Sequence, residues 1–86
     1  QRKRIALLET MLNDFDDGRA KSFYCVASAL LPVAALEESL RRAQQQVKKD
    51  KVKSTDTRTK AGILRGYLND SAARTGVELK LRQKPK

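Results

Sequence analysis

The chain has 86 residues, a formal net charge of +9, one cysteine and no histidine. That length makes one domain with a core only marginally self-sufficient. No run of about 18 apolar residues occurs, so no membrane-spanning helix is expected, and a single cysteine excludes an internal disulfide and any multi-cysteine zinc site.

The sequence opens on Gln1 rather than Met, and reads as a fragment or as a chain lacking its first residues. The basic start Arg2-Lys3-Arg4 leads into an acid-punctuated helical pattern rather than an apolar h-region, so no secretory signal is expected. Ile5, Leu8, Leu12 and Phe15 fall three, four and three apart, with Leu7 and Met11 widening the face. This spacing predicts a first helix from Arg2 to Asp16. Asp16, Asp17 and Gly18 then close it, with Gly18 as a left-handed turn residue and Asp16 or Asp17 as cap of the next helix. The cluster is not an EF-hand. With Gly18 at loop position six, Phe15 and Tyr24 occupy the ligand positions three and twelve.

Ser22 to Leu31, reading SFYCVASALL, opens the longest run without a charge. A helix this apolar, from about Arg19 to Leu31, is expected to lie inside as the hub of the fold, with Cys25 a buried, inert thiol. A free buried thiol suits a reducing, cytoplasmic compartment. Arg19 and Lys21 in its first turn are expected to pair with Asp14, Asp16 or Asp17. Pro32 ends this helix.

A third helix starts at Pro32 or Val33. Val33, Leu36, Leu40, Ala43 and Val47 alternate three and four apart, and Glu37/Arg41 and Glu38/Arg42 stand at i,i+4 in the favourable order. Asp50 takes the next seam position, so the pattern suits a packing face within one chain better than a coiled coil. From residue 44 to residue 56 the composition turns polar and basic, and the helix is expected to give way near Lys49 to a connector.

A fourth helix is predicted over Thr57–Thr75, capped by Thr55 or Asp56 and stopped by Gly76. Leu64, Tyr67, Leu68 and Ala72 form its apolar arc. At about 100° per residue, Arg58, Gly62, Arg65, Gly66, Asn69 and Ala73 project together from another side. Two glycines four apart have two readings. They let a second helix cross closely, or they make a flat docking strip between arginines. Residues 77–86 alternate, with Val77, Leu79 and Leu81 on one side and Glu78, Lys80, Arg82, Lys84 and Lys86 on the other. Period two predicts an extended tail with the pattern of a β-strand. The expected fold is therefore all-α, a compact bundle of about four helices in one domain, with an extended C-terminal tail.

Charge is the functional signal. Residues 1–40 hold five Lys/Arg against six Asp/Glu, a net −1, whereas residues 41–86 hold fourteen against four, a net +10. An excess confined to one half points to a polyanionic or acidic partner. No Walker sequence, dinucleotide fingerprint or nucleophile elbow is present, so neither an enzyme nor a cofactor is expected. One expectation is a nucleic-acid-binding domain, for DNA or RNA, working mainly through phosphates. Its surface would be Arg41, Arg42, Lys48, Lys49, Lys51, Lys53, Arg58, Lys60 and Arg65, with Lys80, Arg82 and Lys84 as an arm. The other is a non-catalytic protein-interaction or homodimerisation module, with Gly62, Gly66, Asn69, Val77, Leu79 and Leu81 as its edge and an acidic protein surface as partner.

Overall fold

The computed structural model describes residues 2–16, 18–77 and 79. Four helices follow one another: α1 (Arg2–Asp14), α2 (Lys21–Leu30), α3 (Val33–Lys49) and α4 (Thr57–Thr75). No strand occurs among the described residues, and no helix there is long and apolar enough to cross a membrane. The all-α bundle read from the periodicities is the fold. Its radius of gyration, 12.5 Å, is close to the roughly 12 Å expected of a folded chain of this length.

The hub is α3, not α2. It packs against α1, α2 and most extensively α4, which its regular three-four spacing allows. Leu36, Leu40 and Ala43 of α3 are buried, against Met11 of α1, Tyr24 and Ala27 of α2, and Leu64, Leu68 and Ala72 of α4 in one cluster. The stretch SFYCVASALL departs from expectation because only one side of this ten-residue helix is covered. Tyr24, Ala27 and Leu31 are buried, whereas Cys25 is exposed and Leu30 is 51% exposed. Ile5, on the flank of α1, is 60% exposed. Spacing locates an apolar arc, but neighbours decide which part of the arc is central.

Specific polar bonds fix the element ends and the helix pairs. The Arg4 guanidinium donates to the carbonyls of Ser28 (2.7 Å) and Leu31 (2.5 Å), satisfying the open end of α2. The buried Tyr24 hydroxyl donates to the Phe15 carbonyl at 2.6 Å, tying α2 to the turn after α1. Asp16 does not cap α2. Its carboxylate accepts from the Gly18 N–H within the turn, where Gly18 has φ 87°, and the N-cap position of α2 is Ala20, with no side-chain cap bond. Between α3 and α4, the hydroxyls of Ser39, 1% exposed, and Ser71 lie 2.6 Å apart. Glu38 pairs with Arg42 at 2.8 Å, as its spacing predicts, while Glu37 pairs with Lys3 of α1 at 3.5 Å.

Both α3 and α4 end in the same motif, a bond across five residues over a left-handed residue. In α4 the Val77 N–H donates to Ala72 O over Gly76, φ 74°. In α3 the Val52 N–H donates to Val47 O over Lys51, φ 53°. Residues 44–49 belong to α3, which gives way to the connector after Lys49, where the composition predicts it. Beyond Gly76 the chain turns back on the bundle. Leu79 is 7% exposed within the core cluster, and Val77 packs against it.

Candidate functional site

The α4 N-terminus is built by its cap. The Asp56 carboxylate accepts from the Thr59 N–H at 3.2 Å and from the Thr59 hydroxyl at 2.8 Å. Those two bonds, with the field of Lys53, hold the Asp56 carboxyl below its ordinary value. The helix thus fixed presents Arg58, Gly62 and Arg65 on one side. Together with Thr57, and with Arg19 from the α1–α2 turn, they line an open groove of about 510 Å³. Three guanidinium groups border it, and no described carboxylate is among its lining residues.

Arg65 is oriented from behind. Its guanidinium lies over the Phe23 ring of α2, 5.8 Å from the centroid. A guanidinium held over a ring by cation–π attraction still has N–H donors to offer an anion. Gly62, between Arg58 and Arg65 on this side, adds no bulk. A Cβ built at Gly62 or Gly66 meets nothing within 4 Å. The two glycines therefore do not mediate a close helix crossing within the chain, and their face is open. On their other side Gly62, Ile63, Gly66 and Tyr67, with Gln46 and Asp70, line a shallow depression of about 350 Å³.

The basic residues expected to form one surface divide into groups. Arg58 and Arg65 share the first groove, and the exposed Asn69 follows one turn later on the same side. Lys48 and Lys60 line a second groove, with Asp14, Phe15, Gln44 and Val47, where the Lys60 ammonium lies 5.8 Å from the centre of the Phe15 ring. Lys49, Lys51 and Lys53 are exposed at the end of α3 and in the connector. Arg41 and Arg42 stand apart from both grooves. Arg41 lines a cleft between α1 and α3 with Glu37 and Glu38, and Arg42 is paired with Glu38. Glu38 meets the charge of Arg42 and Glu37 that of Lys3, and neither Arg41 nor Arg42 lines either basic groove.

The expected docking strand is also corrected. Leu79 is used in the core and Val77 packs beside it, so that side of the segment is not an open edge. Lys80, Leu81, Arg82 and Lys84 lie outside the described residues. Conversely, Arg19 lines the first groove, a place that its position beside the acidic turn does not predict. No feature of the sequence places residue 19 beside residues 58 and 65. Comparison with protein-family models, with curated proteins and with solved structures finds no match to this chain.

Proposed function

We propose that this domain binds nucleic acid through its phosphates, with the N-terminal half of α4 as the contact element. The observation that carries the proposal is the groove bordered by Arg19, Arg58 and Arg65 around Gly62. Arginine offers a planar fork of donors matched to phosphate oxygens. A missing side chain at Gly62 lets a phosphate backbone approach the helix closely. The +10 imbalance of residues 41–86 supplies long-range attraction to a polyanion. Binding of this kind reads little base sequence and depends steeply on salt.

The test is a titration with a labelled non-specific nucleic acid over a series of salt concentrations. Arg58→Gln and Arg65→Gln each lower the affinity and reduce the salt slope by about one unit. Arg41→Gln with Arg42→Gln changes both far less, because those arginines line neither groove. An affinity that barely changes with salt rules the proposal out.

The open glycine face favours a second reading, a protein-docking module. Gly62 and Gly66, with Ile63 and Tyr67 alongside, offer a shallow apolar strip that no part of the chain covers among the described residues. Gly66→Leu tests it. Loss of a self-association or protein complex with unchanged salt-dependent nucleic-acid binding supports this reading over the first.

A further inference from the structure

Resting on the phosphate-binding reading, we infer that the ligand is duplex DNA, with α4 seated in its major groove, rather than a single strand or an RNA duplex. The first observation concerns the aromatic residues. The chain has two Phe, two Tyr and no Trp, and all four rings are engaged by the fold. Phe15 is 2% exposed and Tyr24 is fully buried. Phe23 is half-buried and carries the Arg65 guanidinium on its face. Tyr67 is half-buried, its hydroxyl donating to Gln46 at 3.3 Å. Proteins that hold single strands supply aromatic faces on which successive bases stack. Here no ring stands free for that purpose, and attraction rests on phosphate density, which is highest on a duplex.

The second observation is the placement of cations on both flanks of the N-terminal half of α4. Arg58 and Arg65, with Arg19, stand on the flank toward α2, and Lys60, with Lys48 of α3, stands on the flank toward α1 and α3, two cations against the one carboxylate there, Asp14. Between the flanks the outward side is low. It carries Thr59, Gly62, Ile63 and Gly66, then Asp70, whose charge is met by Arg74 at 3.1 Å. Such a helix fits between two rows of phosphates. The major groove of B-form DNA, about 12 Å wide, admits an α-helix, whereas that of A-form RNA is too deep and narrow for side chains to enter. Arg19, Arg58 and Arg65 then meet one strand, and Lys48 and Lys60 the other.

The experiment compares three labelled probes of equal length, about two helical turns, at one salt concentration: duplex DNA, single-stranded DNA and duplex RNA. The expected result is duplex DNA bound tighter than either alternative by about tenfold or more. Single-stranded DNA or duplex RNA bound as tightly as duplex DNA overturns the inference and leaves the phosphate reading standing. Salt-insensitive or undetectable binding of all three removes both. The two-flank geometry has its own check. Lys60→Gln and the exposed Lys48→Gln each weaken duplex binding and flatten its salt dependence, as Arg58→Gln does. If neither lysine change moves the duplex affinity while Arg58→Gln does, α4 is contacted on one flank only and the groove-seated arrangement is wrong.

Discussion

The guanidinium of Arg65 rests on the ring of Phe23, 5.8 Å from its centroid, and so joins α4 to α2 at the edge of the basic groove. The ring thus gives the cation a fixed neighbour on α2. Phe23→Leu removes that support while keeping an apolar side chain, and weakens nucleic-acid binding several-fold. Phe23→Tyr retains a ring and restores the affinity. Binding titrations on both variants, alongside their unfolding curves, separate positioning of Arg65 from a general loss of stability.

At Gly62 and Gly66 stability and function are expected to oppose each other. Neither glycine has positive φ, and a Cβ at either meets open space. Replacing each by alanine stabilises α4 by about 0.5–1 kcal/mol, because alanine loses less backbone freedom on entering a helix. Urea denaturation registers this gain. Gly62→Ala nonetheless lowers nucleic-acid affinity, since the methyl group stands on the side of α4 that faces the ligand.

The Ser39–Ser71 pair predicts non-additivity. Ser39→Ala alone strands the Ser71 hydroxyl in the α3–α4 contact and costs about 1 kcal/mol. Ser39→Ala with Ser71→Ala removes both partners and costs less than the two single changes together. A double-mutant cycle from chemical denaturation gives the coupling directly.

Lys51 holds the left-handed position that Gly76 holds in α4, with φ 53° against 74°. A residue with a Cβ is disfavoured there. Lys51→Gly therefore stabilises the protein by about 0.5–1 kcal/mol, the relief of the native conformation exceeding the added freedom of the unfolded chain. Gly76→Ala destabilises it. Thermal melts of the two variants move in opposite directions.

Asp56 makes the start of α4 sensitive to acid. Its folded-state carboxyl is held below the ordinary aspartate value, chiefly by the two Thr59 bonds. The stabilisation is thus complete above the unfolded value and is lost as pH falls through the folded one, from about pH 4 downward. Asp56→Asn keeps an acceptor for the Thr59 N–H but has no such titration. The stability difference between wild type and Asp56→Asn shrinks as pH falls from 6 to 2, and urea denaturation at several pH values follows it.

Helices and their stops were legible in the sequence because they are local. Pro32 breaks α2 from α3, Asp56 caps α4 and Gly76 ends it, each through backbone chemistry within a few residues. Leu36, Leu40, Leu64 and Leu68 were likewise legible as core, since each sits near the middle of its apolar arc. What one helix cannot reveal is the bearing of its neighbours. Cys25 and Leu30 lie on the side of α2 that nothing covers fully, although the stretch containing them is the most apolar in the chain. The groove depends on the same non-local information. Arg58 and Arg65 are seven apart on one helix and were grouped from periodicity alone. Arg19 joins them only because the turn before α2 is carried to α4, and Arg41 and Arg42 stand apart because they line neither groove.

The buried phenol of Tyr24, donating to Phe15 O, equips the molecule with its own spectroscopic reporter. With no tryptophan and only two tyrosines, near-ultraviolet absorption and emission come from Tyr24 in the interior and Tyr67 at the rim of the glycine face. Unfolding transfers Tyr24 from an apolar, hydrogen-bonded setting to water and changes its spectrum, whereas a ligand seated on α4 perturbs Tyr67 first. Replacing either one by phenylalanine leaves a single chromophore. The interior and the binding face then become separately observable without any attached dye.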